Sequence, residues 1–192
     1  MLTVKELSFS YPQSKNTLLY PDFELHDGEL LAIMGASGCG KSTLLHLIAG
    51  LLKPSSGEIL SDHHKISYAF QEPRLFSWMT AAQNIQAVLP RNAEKKTVFE
   101  ALHFVELLEA EALYPAQLSG GMKSRVSLAR ALAYNGDLFL LDEPFSALDE
   151  TLHRALCQKL KRHLKETGAS AILVTHALED AQLFADRILT FS

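Results

Sequence analysis

The chain is poor in cysteine: of 192 residues only Cys39 and Cys157 carry a thiol. Two cysteines make no disulfide framework, and neither sits in a spacing that reads as a metal site, so the expected setting is reducing. A basic excess is also missing, with 18 Lys and Arg against 22 Asp and Glu and a net charge of −4. Partners that are polyanions usually leave a basic surplus, so a general nucleic-acid or anionic-membrane surface is disfavoured. Long apolar runs are absent. The stretches "LLHLIAGLL" and "LFLL" fall far short of the roughly 18 residues a membrane span requires. The start, "MLTVKELSFSYP", has no charged segment leading into an apolar core, so no export signal is expected. Repeats and low-complexity segments are lacking too, and the length suits one domain with a subdomain inserted in it.

What is present alternates strands with helices. "LTVKELSFSY" switches between apolar and polar residues as a half-buried strand does, and "LLAIM" reads as a buried strand after the turn "HDGE". A helix is expected from Lys41 to about Leu51, stopped by Pro54 and its serine-glycine turn, then short strands in "GEIL" and "KISYAF". From Thr97, apolar Val98, Leu102, Val105 and Leu108 recur at helical spacing. "DLFLLDEP" and "AILVTH" read as buried strands, with a helix between them whose leucines 152, 156, 160 and 164 form one stripe. This alternation predicts a mainly parallel sheet with crossover helices, interrupted by a helical stretch over about 72–135.

The stretch "GASGCGKST", Gly35, Ala36, Ser37, Gly38, Cys39, Gly40, Lys41, Ser42 and Thr43, fits G-x-x-x-x-G-K-[ST] in full, after a strand and opening a helix. Glycines let backbone N–H groups turn around phosphate oxygens, Lys41 brings a positive charge to the outer phosphates, and the Ser42 hydroxyl can hold Mg²⁺. Cys39 fills a free position of the motif as a small residue. At the end of "LFLLDEP", Asp142 is expected to face the metal and Glu143 the outer phosphate, where a carboxylate can activate an attacking water.

A second anion cradle then needs an explanation. In "LSGGM", Ser119 is a fitting N-cap, and the Gly120–Gly121 backbone can approach phosphate with a helix dipole behind it. Together with the first cradle and with "LLDEP", "SALD" and "VTH", this order resembles the ATP-binding cassette (ABC) family from Tyr11 to His176.

The resemblance implies an α/β P-loop NTPase (RecA-like) core with a mainly parallel sheet, a small N-terminal antiparallel β part and an inserted helical subdomain, all in one domain over 1–192. It also implies two cassettes, most simply a homodimer, that sandwich ATP between the phosphate loop of one and the signature Ser119, Gly120, Gly121 and Met122 of the other. Tyr11 then stacks on adenine, Gln71 reaches Mg²⁺ and attacking water, Asp149 couples the two sites, and His176 touches the γ-phosphate. Glu143, His176 and Gln71 are the expected catalytic set; Ser42, Gln71 and Asp142 are the expected metal set. The implied activity is ATP hydrolysis driving a transmembrane permease from the cytoplasmic face of the membrane, with a solute-binding protein in the full system and no nucleic acid. "FQEPRLFSWMTAAQNI" is closest to bacterial importers of nitrate, sulfonates, taurine or thiamine precursors, and Phe76, Trp78 and Met79 are candidates for an apolar permease-docking groove. The alternatives are that these residues fill the helical subdomain's core, that the protein is a soluble ABC ATPase acting on nucleic acid or ribosomes, or that it is a lone P-loop kinase.

Three departures from the family pattern stand out. Met122 replaces the usual glutamine, which predicts weaker nucleotide contacts without loss of activity. The "GEILSDHHKISYAF" segment is short, with His63 and His64 expected in a solvated turn. The sequence ends at Ser192, soon after the last strand, which predicts no C-terminal regulatory domain.

Overall fold

The structure, a computed structural model, describes residues 1–12 and 16–191. Strand β1 (Leu2–Ser10) pairs antiparallel with β2 (Thr17–Leu19), β3 (Phe23–Leu25) and β5 (Ser56–Ser61). Simple alternation does not survive along β1. Leu2 and Val4 are buried, and so are Leu7 and Phe9, which would lie on the opposite face of a regular strand. A bulge resolves this: the register against β5 shifts between Lys5 and Ser8, and Glu6 adopts φ 46°. Opposite it, Gly57 has φ +78° and passes so close that an added Cβ would lie 2.3 Å from the Glu6 carbonyl oxygen. Only glycine fits there.

The second sheet is parallel, in the order β6 (Ile66–Ala69), β7 (Leu138–Asp142), β8 (Ser170–Val174), β4 (Leu30–Gly35), β9 (Arg187–Phe191). Every residue of β7 and β8 is buried, as expected of parallel strands covered on both faces. Their side chains divide between two cores. Leu31, Ile33, Leu138, Leu140, Ile172 and Val174 join the antiparallel sheet and helix α1 (Lys41–Ile48). Leu30, Phe139, Leu141, Ala171 and Leu173 face α2 (Ala81–Gln86), α3 (Lys95–Phe104), α4 (Gly120–Tyr134) and α5 (Glu150–Thr167). The helical stretch between β6 and β7 therefore shares one continuous core with the sheet. Because β4, β7 and β8 run in the same direction, the loops leaving them open at one edge of the sheet.

Helix ends follow local chemistry. Helix α1 stops at Ile48, short of Leu51, because Gly50 at φ +70° closes a paired C-terminal motif: Gly50 N–H donates to the Leu47 carbonyl and Leu51 N–H to that of His46. Helix α3 buries Val98 and Leu102 but ends at Phe104, which leaves Leu108 half-buried in a short 3-10 turn. On α5, Leu156, Leu160 and Leu164 form the buried stripe. The final helix, α6 (Leu178–Phe184), returns the chain to edge strand β9. The expected solvated turn at His63 and His64 is correct only for His64. The His63 side chain is 7% exposed, with Nδ1 3.9 Å from Asp137 Oδ1, and burial lowers its pKa. Among the described residues no helix is long and apolar enough to cross a membrane.

Candidate functional site

A cavity of about 660 Å³ lies over the C-terminal edge of the parallel sheet. It is lined by Ser37, Gly38, Gly40, Lys41, Ser42 and Thr43 from the loop between β4 and α1, with Tyr11, Gln71, Glu143 and His176 around them. Asn16 and Leu18, which no motif singled out, complete its wall. Asn16 precedes β2 and Leu18 lies in it, and the pairing of β2 with β1 places them there, a matter of topology that no local pattern announces.

The loop is built to bind an anion. Gly38 and Gly40 hold φ +82° and +96°, a backbone that L side chains rarely adopt. Helix α1 begins at Gly40 with no side-chain cap, so its first-turn N–H groups are not occupied by a capping oxygen. Lys41 is buried, and its Nζ donates to the carbonyls of Gly35 and Ala36 at 2.8 Å each, with Cys39 Sγ at 3.9 Å. Tyr20, packed behind the loop, donates to the Gly40 carbonyl.

The acidic side is graded by burial. Asp142 is 3% exposed and accepts one hydrogen bond from Ser42 Oγ at 3.1 Å. Burial raises its pKa, Ser42 opposes that rise, and neighbouring Glu143 adds to it. Ser42, Asp142 and Gln71 offer a hydroxyl, a carboxylate and an amide oxygen, a donor set suited to a hard divalent cation such as Mg²⁺. Among the described residues no three His, Cys, Asp or Glu gather closely enough to hold a metal alone. A cation here fits only if phosphate oxygens or water complete its shell.

Glu143 follows β7 in the left-handed region, φ 46°, its N–H donating to the Val174 carbonyl. The Glu143 side chain lines the cavity, and such backbone strain at a non-glycine residue is typical of functional positions. Its Oε2 lies 3.2 Å from Nδ1 of His176, an exposed residue at the end of β8. Tyr11 is 45% exposed at the mouth, edge-on to Phe9, and shares a hydrogen bond with Thr43 Oγ1 at 2.9 Å. An exposed ring over the pocket is free to stack on a flat ligand.

The remaining candidates stand apart. Ser119, Gly120, Gly121, Met122 and Asp149 do not line this cavity. Ser119 caps α4 by accepting from Met122 N–H at 3.2 Å, and the space over Gly120 is open. Gly121 backs onto the Ala147 carbonyl, Met122 packs against the main core, and Asp149 caps α5 by accepting from Leu152 N–H. Phe76 and Trp78 do not fill the core between the helices: their rings touch at 5.4 Å, and Trp78 is 70% exposed. Asn84 holds their loop from below, its Oδ1 accepting from Phe76 N–H and its Nδ2 donating to the carbonyls of Phe76, Met79 and Thr80.

A family profile described as ABC transporter matches residues 19–146. The sulfate/thiosulfate import ATP-binding protein of Caulobacter vibrioides is 45% identical over 186 residues, covering 87% of this chain and 55% of its own length. The taurine import ATP-binding protein of Roseobacter denitrificans is 36% identical, covering 100% of this chain and 77% of its own. The chain thus spans little more than half of the sulfate relative. Among solved structures, an ATP-binding cassette captured as a dimer in a post-hydrolysis state with ADP and Pi superposes with a TM-score of 0.92 at 31% identity, covering 100% of this chain and 94% of that one.

Proposed function

The chain belongs to the ABC transporter family, and on that premise we propose that it is the ATP-binding and ATP-hydrolysing subunit of a bacterial importer of a small solute. One observation carries the reading. The phosphate loop, Gln71, Glu143 and His176 share a cavity, while a second glycine-rich helix start, Ser119 and Gly120, is exposed outside it. A second cradle turned away from its own nucleotide suits a partner's nucleotide, and the similarity to a dimeric cassette supports that arrangement.

In this reading the loop N–H groups and Lys41 bind the β- and γ-phosphates of ATP, and Tyr11 covers the base. Ser42, Gln71 and Asp142 would hold Mg²⁺, which when bound neutralises charge on the phosphates. Glu143 accepts a proton from water aligned with the γ-phosphate. His176, 3.2 Å from that carboxylate, orients it and faces the departing phosphoryl group. Ser119 to Met122 of the partner close over the nucleotide from the opposite side, and Asp149 links the two sites.

The exposed Phe76–Trp78 loop is the docking surface for the permease, which keeps the chain peripheral on the cytoplasmic face of the membrane. A solute-binding protein delivers the solute in the full system. Import is supported by the similarity to the sulfate/thiosulfate and taurine import ATP-binding proteins. Action on nucleic acid is disfavoured by the net charge of −4.

Affinity capture of the tagged protein from gently solubilised native membranes tests this. A multi-span protein that is retained by the wild type and lost from a Phe76→Ala, Trp78→Ala variant is the expected result. Recovery only from the soluble fraction, with ribosomes or nucleic acid attached, would overturn the transport assignment.

A further inference from the structure

Behind the Glu143–His176 pair lies a second polar cluster that no motif covers. His153, in the first turn of α5, puts Nε2 2.6 Å from Asp180 Oδ1, with both side chains largely buried. The other oxygen of Asp180 accepts a hydrogen bond from Thr175 Oγ1 at 3.2 Å. Thr175 Oγ1 in turn accepts from Ala177 N–H at 3.1 Å, bracketing the one residue between them, which is His176.

The same imidazole lies against the other catalytic strand end. Its ring stacks on Phe145 at 5.2 Å and 25°, two residues beyond Glu143. Its backbone N–H donates to the carbonyl of Asp149, the residue capping α5. A small cavity of about 160 Å³ separates these groups and is lined by Glu143, Phe145, His153, Thr175, His176 and Asp180, among others.

From this geometry we infer that His153 is a positioning residue that ties the Ser146–Asp149 segment to both Glu143 and His176, through Phe145 on one side and through Asp180 and Thr175 on the other. The inference rests on the ATPase reading above. The close His153–Asp180 contact and the ring stack on Phe145 fix two strand ends relative to one helix start. Because Asp149 caps α5 and His153 N–H donates to its carbonyl, any shift of the Ser146–Asp149 segment carries His153 with it and changes the alignment of the carboxylate–imidazole pair. His153 does not line the phosphate-loop cavity, so its loss acts on alignment and leaves binding alone. A misplacement of about 1 Å in a positioned group lowers turnover by as much as about 100-fold.

Steady-state ATP hydrolysis by the purified chain tests this, with kcat and KM separated. His153→Ala is expected to lower kcat roughly ten- to a hundredfold with KM for ATP unchanged. His153→Arg, whose planar guanidinium can meet Asp180 and stack on Phe145, is expected to restore most of kcat. His153→Ala with Asp180→Ala should be no slower than the slower single variant. Should the alanine variants melt early, His153→Gln, which keeps most of the volume without the aromatic ring, replaces them with the same expectation. A kcat within twofold of wild type, a KM that rises in step with the loss, or additive losses in the double variant would overturn the inference while leaving the ATPase reading in place. A wild-type chain without ATPase activity would overturn both.

Discussion

Replacing Glu143 with Gln removes one carboxylate charge and almost nothing else. The amide occupies the same volume and inherits the same φ of 46°, so backbone strain is equal in the two proteins. The contact it loses, to His176 at 3.2 Å, has a partner side chain 69% exposed. Pairs of that kind contribute about 0–1 kcal/mol. In a chain of this size 1 kcal/mol moves Tm by roughly 2–4 °C, so a shift no larger than that is expected. Catalysis is another matter, because a positioned general base is worth roughly 10²–10⁴ in rate. At 1.36 kcal/mol per decade that is about 2.7–5.4 kcal/mol of barrier. Single-turnover phosphate release, measured with Tm and ATP affinity on the same preparation, separates the terms. A rate loss under tenfold would refute the role assigned to Glu143. A large loss with equally weakened ATP binding would point instead to a damaged pocket.

Three more substitutions test other parts of the account. Asn84→Ala removes the partner of the Phe76 N–H and of the Met79 carbonyl, at about 1–3 kcal/mol each, while the Phe76 and Thr80 carbonyls keep backbone donors. The expected result is a lower Tm and a lower fluorescence anisotropy of Trp78, the single tryptophan; unchanged anisotropy would mean that Asn84 does not hold the loop. Asp142→Asn removes a carboxyl whose pKa burial raises in the folded state, so that the native chain holds its proton more tightly than the unfolded one. Wild-type stability therefore falls as pH rises from the unfolded carboxylate value through the folded one. The asparagine variant, without nucleotide, should melt higher at neutral pH, lose that advantage in acid, and gain less from Mg²⁺ and ATP; a lower Tm at neutral pH would contradict this. Gly57→Ala puts a Cβ 2.3 Å from the Glu6 carbonyl oxygen at φ +78°. It should lose more than the roughly 1–2 kcal/mol of left-handed backbone alone, read as a lower urea midpoint.

The parallel sheet was legible because β7 and β8 are covered on both faces and read as unbroken apolar runs. The phosphate loop was legible because its glycines, lysine and hydroxyls are local in sequence. What the sequence hid depends on distant neighbours. The β1 bulge needs Gly57 to pass beside Glu6, and no window over β1 alone contains that contact. Helix α1 stops at Ile48 because left-handed Gly50 closes the last turn, a signal present in the sequence but outranked there by Pro54. His63 is buried because Asp137, from the loop before β7, comes up beside it. Tyr11, Gln71, Glu143 and His176 could be named from motif order, yet their convergence on one cavity needs the strand order of the sheet. The cluster of His153, Asp180 and Thr175 belongs to the same class: three unremarkable residues on α5, α6 and the end of β8 that only the fold brings together.

The central claim is that Ser119 and Gly120 serve the nucleotide of another copy. Size-exclusion chromatography of the Glu143→Gln variant, with and without ATP, tests it most directly when Ser119→Arg is added in the same background. The account predicts an ATP-dependent dimer for Glu143→Gln, and a monomer still carrying its nucleotide once Ser119→Arg is present. A dimer that survives Ser119→Arg, or a monomer that no longer binds ATP, would contradict it.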